Sequence, residues 1–457
     1  MIKENMLMDP RLIEKYNTAI PRYTSYPTVP HWQLTAPSQE EWLTHVKNAY
    51  QEVPELSLYI HLPFCESLCT YCGCNKRITK NHTVESPYID AIIKEWKIYL
   101  DNLEQRPTIK EIHLGGGTPT FFDAENLKKL ISTILDDSDL AEGYEFSFES
   151  HPNSTTSYQL KTLYNLGFKR ISIGVQDVSS NILSAINRQQ TVDEVRGVTT
   201  WARAIGYTSV NYDIIYGLPF QKPSDILDTT KFIAEQKPDR IAFYSYAHVP
   251  WKNASQRAFT IKDVPSGVEK NELYDIGRYL LEMEGYKAVG MDHFCLEDEA
   301  LYNSYKEGKM HRNFMGYTPN YTKCSIGLGA SSISDSWSMY VQNEKHIEDY
   351  EKIVNCGKLP IIKGHELSDS EALIRKHILN LMCKDSTSWQ KDSMDSIAII
   401  PFLSNLDELV EDGLVAYTNN GIHITDLGKF FIRNICSSID PIFQGSSSGN
   451  EMFSKAI

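Results

Sequence analysis

The sequence predicts an α/β protein built on parallel strands. Short apolar runs recur six times between about Leu56 and Ala247, and a helix-length amphipathic stretch separates each from the next. The least ordinary residues, cysteines, glycines and isolated carboxylates, fall where these runs end, and strand ends are where β/α enzymes place their chemistry. Parallel pairing needs helical crossovers and buries both sheet faces, which leaves an open doubly wound sheet or a curled (β/α) barrel. The rhythm alone does not choose between them.

The elements follow in order. Ahead of the first strand, PRYTSYPTVPHW (21–32) carries Pro-limited, aromatic-rich turns and reads as a strap rather than a helix. The strands are LSLYIHLP (56–63), EIHLGG (111–116), YEFSFES (144–150), RISIGVQ (170–176), SVNYDIIYG (209–217) and RIAFYSYA (240–247), the last closing at Ala247. Between them SPYIDAIIKEWKIYL, AENLKKLISTIL, TTSYQLKTLYNLGF and VDEVRGVTTWARAIGY repeat apolar residues at helical spacing. A polar helical region (269–286) leads to GMDHF, HRNFMGYT and GLGASSIS, pieces expected to close one side of the barrel. Beyond Leu367, SDSEALIRKHILNLM and LSNLDELVEDGLVAYTNNGIHITDLGKFFIRNI read as helices followed by a hairpin turned at Asn419-Asn420-Gly421. The expected division is 1–54 as an N-terminal strap and extension, 55–365 as the catalytic barrel with its closing elements, and 366–457 as a small, mainly helical, winged-helix-like domain.

A formal net charge of -14 argues against a nucleic-acid partner, and the acidic stretch at 407–412 assigns the last domain to packing or lid duty. No apolar run approaches the ~18 residues of a membrane span. Met1 to Glu14 lacks the layout of a secretory signal. A cytoplasmic chain without a membrane partner is expected.

Nine cysteines are present, four of them packed as C-E-S-L-C-T-Y-C-G-C from 65 to 74. Tetrahedral zinc and an iron–sulfur cluster both remain open on that string alone. Structural zinc usually draws ligand pairs from separate segments, and Cys72 and Cys74 stand too close in sequence to chelate well together. Three spaced thiolates, Cys65, Cys69 and Cys72, with Cys74 spare, suit a cluster that keeps one iron open. Cys295, Cys324, Cys356, Cys383 and Cys436 are scattered singly and read as packing.

The C-x3-C-x2-C string directly after the first strand, with Tyr71 beside its last cysteine and GGGTPT (115–120) after the second strand, closely resembles the radical S-adenosylmethionine (SAM) superfamily. Within it the chain looks like the oxygen-independent coproporphyrinogen III oxidases along nearly its whole length. The strings that carry this are PRYTSYPT, YIHLPFCESLCTYCGCNK, HLGGGTPT, IGVQD, NYDIIYGLP, YAHVP, GMDHF and HRNFMGYT. The resemblance implies a partial (β/α)6 radical SAM barrel and a 4Fe-4S cluster whose open iron chelates SAM. It also implies a 5'-deoxyadenosyl radical that abstracts hydrogen. The implied reaction is oxidative decarboxylation of two propionates of coproporphyrinogen III to vinyls, giving protoporphyrinogen IX in porphyrin and heme biosynthesis. Relatives are similar in binding two SAM molecules. Matched positions place Tyr59, Tyr71, Gly116, Glu149 and Ile333 at the cluster-bound SAM, and Gly117, Thr118, Gln176, Arg188, Asp213 and Ala247 at the second. Arg22, Tyr23, Tyr26, His311 and Arg312 are the candidates to face the substrate, a tetracarboxylate macrocycle that needs basic and aromatic contacts. A monomer served by a small electron donor such as a flavodoxin or ferredoxin is implied.

The family's fourth cysteine, here Cys74, is not a ligand but separates these enzymes from the related heme-chaperone group. The chain departs from the family pattern after Glu149, where it reads SHPNS. The rival readings are a heme-binding chaperone of the same fold, a radical SAM methyltransferase or heme-degrading relative, and a structural zinc protein.

Overall fold

A computed structural model describes residues 8–33, 35–103, 105–445 and 453–456. Helices α1 (Pro10–Tyr16) and α2 (Gln39–Glu52) precede the sheet, and the strap between them is irregular apart from one turn of 3-10 helix at Val29–His31. The six apolar runs form β1 (Leu56–Leu62), β2 (Thr108–Gly116), β3 (Asp139–Ser150), β4 (Phe168–Gln176), β5 (Ser209–Tyr216) and β6 (Arg240–Ser245). Each pairs parallel with the next, in registers such as Leu58↔Ile112, Ile112↔Phe146 and Tyr212↔Ile241. Strand β6 ends at Ser245, so Ala247 lies just beyond it rather than closing it.

The crossovers are α3 (Glu85–Leu100), α4 (Ala124–Asp136), α5 (Ser157–Asn165), α6 (Ser180–Ala185) with α7 (Val192–Ile205), and α8 (Pro223–Gln236). Their starts are written locally. Thr156 with Gln159 and Thr191 with Glu194 make reciprocal capping boxes that satisfy the free N–H groups of the first turn. On α4 the spacing of Leu127, Leu130, Ile131 and Ile134 puts one apolar stripe against the sheet, and all four are fully buried.

Alternation along the strands sorts the two sheet faces. Phe146, Phe148, Ile171, Ile173, Val210 and Tyr212 face the helices and are fully buried. Their neighbours Ser147, Glu149, Arg170, Ser172, Asn211 and Asp213 line one shared cavity with His113, Arg240 and Tyr244. Five strands contribute to that cavity, so the sheet curls around it and the barrel alternative is the one realised.

The sheet runs further than the six runs suggested. Helix α9 (Gly267–Met283) leads to β7 (Lys287–Val289) and β8 (His293–Cys295), then come α10 (Ala300–Lys306) and the hairpin β9 (His311–Asn313) and β10 (Gly316–Thr318). Strands β11 (Cys324–Leu328), β12 (Ile333–Asp335), β13 (Met339–Asn343) and β14 (Ile361–Glu366) follow, with α11 (Ile347–Asn355) between the last two. The order across the twelve-stranded sheet is β14-β13-β12-β11-β1-β2-β3-β4-β5-β6-β8-β7, with β11 parallel to β1 and the other additions antiparallel.

The remaining chain holds α12 (Asp369–Lys384), α13 (Met394–Ile399), α14 (Asp407–Glu411), α15 (Ile432–Ser438) and a small sheet of β15 (Ser386–Ser388), β16 (Val415–Thr418) and β17 (Gly421–Ile424). The hairpin turns at Asn419-Asn420, and Gly421 is already in β17. A second apolar cluster joins Ile378, Leu381, Phe431 and Ile435 from this region to Ile13, Tyr16, Tyr23 and Tyr26 near the N-terminus. Among the described residues no helix is long and apolar enough to cross a membrane.

Candidate active site

The cysteine loop is held at both ends. Phe64–Cys65 pairs parallel with Arg77–Ile78, and the Thr79 amide donates to the Cys65 carbonyl at 2.9 Å. In between, the Thr70 amide donates to the Ile186 carbonyl at 3.0 Å. Asn187 Nδ2 donates to the Leu68 carbonyl at 2.7 Å, and Asn253 Nδ2 to the Cys72 carbonyl at 3.0 Å. Elements from α6 and from beyond β6 thus fix a loop that has no secondary structure of its own.

All nine thiols are free; Cys65 and Cys69 are buried, Cys72 is half-buried and Cys74 is exposed. Two of the sulfurs meet donors. The Thr118 hydroxyl donates to Cys65 Sγ at 3.3 Å, and Arg188 Nη1 to Cys69 Sγ at 3.6 Å. A hydrogen bond from Cys74 pulls the Cys72 thiol down to about 6, and burial pushes Cys65 up to about 11. Donors aimed at sulfur are what cluster thiolates use to spread their charge, so the residues fit an iron–sulfur cluster. Among the described residues no three His, Cys, Asp or Glu side chains converge as they would on a single ion.

The glycine run makes a backbone surface beside the loop. Gly116 sits at φ +111°, and a Cβ there would fall 2.6 Å from the His61 ring. At Gly117 a Cβ would lie 2.5 Å from the Pro63 carbonyl carbon, with no side chain able to yield. The Gly117 and Thr118 amides donate to the Leu62 and Phe64 carbonyls at 2.8 and 3.0 Å, which sets the run against the end of β1. The Gly116 amide donates to Glu149 Oε2 at 3.2 Å.

Six of the expected cofactor residues, Gly117, Thr118, Glu149, Gln176, Arg188 and Asp213, line one cavity of about 90 Å3. Arg188 Nη2 donates to the Gly174 carbonyl at 2.5 Å and Nε to Gln190 Oε1 at 2.8 Å, which orients the guanidinium. Gln176 at the end of β4 adopts φ +67°, a rare backbone for a residue with a side chain. Asp213 accepts from Ser172 Oγ at 2.8 Å and Asn211 Nδ2 at 2.9 Å, yet burial pushes its carboxyl up to about 6. His151 lines the same cavity from the unusual SHPNS segment, and burial with the nearby Arg188 holds it down at about 2, a neutral ring.

The others spread out. Tyr59 stacks on His113 and hydrogen-bonds His61 Nδ1 at 2.9 Å. Tyr71 packs against the small apolar cluster that contains Ile182, Leu183, Ile186 and Tyr246. The Ala247 carbonyl accepts from Gln256 Nε2 at 3.1 Å. Ile333 packs with Trp32 and Tyr340 in an apolar cluster outside that cavity.

The substrate candidates separate as well. Arg22 donates to the Ser245 carbonyl at 3.0 Å, at the rim of the barrel. Tyr23 donates to Asp440 Oδ2 at 2.9 Å, and both Tyr23 and Tyr26 belong to the second apolar cluster. His311 and Arg312 are neighbours on β9 and so point oppositely. Arg312 lies over the Tyr317 ring at 4.5 Å, while His311 lines an outer cleft with Tyr321 and Trp337. The polar lining of the barrel, including His113, Tyr244 and His293, was missed in the sequence reading; strand alternation was the one signal that could have found it.

The radical SAM superfamily model matches residues 59–233. Two curated relatives are oxygen-independent coproporphyrinogen III oxidases. That of Synechocystis sp. is 36% identical over 98% of this chain and 97% of its own. That of Escherichia coli K12 is 34% identical over 98% of each. The solved structure of the coproporphyrinogen III oxidase of Escherichia coli, described as a radical SAM enzyme, superposes with a TM-score of 0.88 at 32% identity, covering 96% of this chain and all of the other. With a cysteine loop, a glycine run and a full-length likeness all in one place, the chain belongs to the oxygen-independent coproporphyrinogen III oxidase family of radical SAM enzymes.

Proposed function

We propose that this protein converts coproporphyrinogen III to protoporphyrinogen IX by radical SAM oxidative decarboxylation of two propionates to vinyls, within porphyrin and heme biosynthesis. The observation that carries the reading is the clasped loop whose Cys65 and Cys69 sulfurs already receive donors, in a chain alike over its full length to named oxidases. When bound, the 4Fe-4S cluster and SAM supply one-electron chemistry that takes hydrogen from an unactivated carbon.

The chain's own residues hold and place. Cys65, Cys69 and Cys72 would hold the cluster, with Cys74 outside the ligand set. The bare backbone at Gly116, with Glu149 behind it, admits the methionine end of SAM; Tyr59, Tyr71 and Ile333 complete that side. Gly117, Thr118, Gln176, Arg188, Asp213 and Ala247 take a second SAM, where Arg188 suits a carboxylate and Asp213 suits hydroxyl or ammonium donors. Arg22, Tyr23, Tyr26, His311 and Arg312 serve the substrate, Arg22 and Arg312 from nearest the barrel. The division into 1–54, 55–365 and 366–457, a monomeric state and a flavodoxin- or ferredoxin-like donor belong to the same proposal.

The test is anaerobic: reconstituted protein, reductant, SAM and coproporphyrinogen III, followed by porphyrin and carbon dioxide analysis. Divinyl product with two carbon dioxide molecules per macrocycle is expected. Tight heme binding with no vinyl product would instead mark a heme carrier.

A further inference from the structure

A second cavity opens at the same rim, of about 70 Å3, and shares no lining residue with the one that holds Gly117 and Arg188. It is lined by Arg22 from the strap, Tyr216 and Ser245 at the ends of β5 and β6, Asp292, and Arg433 from α15. Lys270 of α9 stands beside it: its side chain lies against Gly217, next to Tyr216, and its Nζ donates to the carbonyl of Tyr246, next to Ser245.

Lys270 and Arg433 are buried, at 9% and 7% exposure. Buried cations are costly unless an anion meets them. Among the described residues none of the three makes a close ion pair, and Asp292 acts on Arg22 and Arg433 only from farther off. Every hydrogen bond they make goes to a carbonyl oxygen: Arg22 to Ser245, Lys270 to Tyr246 at 3.3 Å, and Arg433 to Ile20, Pro21, Ser454, Lys455 and Ala456. Asp292, the carboxylate in the lining, is engaged by His293 Nδ1 at 2.6 Å. Arg433 spends all its N–H groups on carbonyls, so it contributes field and scaffolding. Arg22 and Lys270 keep donors in reserve, because each makes one hydrogen bond among the described residues.

We propose that Arg22, Lys270 and Arg433 form a carboxylate receptor that takes one propionate arm of the tetracarboxylate substrate, an arm other than the one undergoing chemistry, and so positions the macrocycle over the cysteine loop. The inference rests on the substrate reading above. The cavity has room for a carboxylate-bearing arm and not for a macrocycle, and its separate lining keeps that arm away from the cofactor cavity. The strap and α15 close it from one side, which gives both appended segments a part in substrate binding.

The test titrates reconstituted holoenzyme with coproporphyrin III, the fluorescent oxidised form of the substrate, and with its tetramethyl ester. Arg22→Gln and Lys270→Met are each expected to weaken the tetra-acid on the order of ten-fold or more, the worth of one charge-assisted hydrogen bond. Both should leave the ester unchanged. Tetra-acid affinity equal to wild type, or equal losses for acid and ester, would overturn the receptor. The two readings fail separately: wild-type protein that forms no vinyl product sinks the substrate reading, whereas turnover with unaltered variant affinities sinks the receptor alone. Arg433 is left intact because its carbonyl bonds hold the strap.

Discussion

At the scale of single residues, thiols and glycines do different work within one small volume. A ligand thiolate is irreplaceable by an alcohol at soft iron, so Cys69→Ser is expected to lose most cluster iron and its visible absorbance after anaerobic reconstitution. Cys74→Ser should keep both, as the proposed ligand set of Cys65, Cys69 and Cys72 requires. Gly117 acts by absence. Its missing Cβ would press on the Pro63 backbone at 2.5 Å, which cannot rotate away. Gly117→Ala is therefore expected to cost on the order of 1–3 kcal/mol in thermal unfolding and to slow SAM cleavage at least ten-fold, read as 5'-deoxyadenosine released. The cysteines and glycines were legible in the sequence because their spacing is local. Lys270 and Arg433 were not: one sits in a stretch that reads as a polar surface helix, the other in an apolar run, and only the fold brings Lys270 beside the cavity that Arg433 lines.

Elements were legible where six to twelve residues run long enough for an apolar period to register, as in β1 to β6. The additions β7 to β13 span three to five residues each, too few for a period to register. Their partners also come from far along the chain, as when β11 pairs with β1. Alternation explains why β3, β4 and β5 carry charge inside a barrel, and one buried ion pair shows its cost. Arg240 on β6 donates to Glu299 Oε1 at 2.5 Å, and both side chains are at least 95% buried. Burial alone would raise the Glu299 carboxyl, but Arg240 holds it below its ordinary 4.5. Stability from this carboxylate is thus complete above about pH 4.5 and is lost as pH falls through the lower folded value. Arg240→Met leaves Glu299 buried and unpaired and is expected to destabilise by about 3–5 kcal/mol at pH 7. The gap from wild type should narrow as melting is repeated toward pH 4, where the stranded carboxyl takes a proton. A constant gap would assign the loss to packing.

At the scale of the whole molecule, the strap and the C-terminal region share an apolar cluster and a set of buried cations, and these pull in opposite directions on stability. The cluster favours the folded chain; the cations oppose it until an anion arrives. Burial, then Arg22, Arg433 and Lys455, push Lys270 down to about 7 from 10.5; Asp275 stands on the same helix, held by Asn271, and Asp292 lines the cavity beside it. A lysine so depressed binds fewer protons folded than unfolded between these two values, so stability recovers as pH rises from about 7 toward 10.5. Below about pH 7 the penalty is present in full. Lys270→Met, which keeps the volume and removes the charge, is therefore expected to raise the melting temperature of substrate-free protein on the order of a few degrees at pH 6, and by less at pH 9. Coproporphyrin III should stabilise wild type more than the variant, since only wild type has a buried ammonium for a carboxylate to neutralise. A variant that melts below wild type at pH 6, or one stabilised equally by the ligand, would show that Lys270 is held for packing and not for charge.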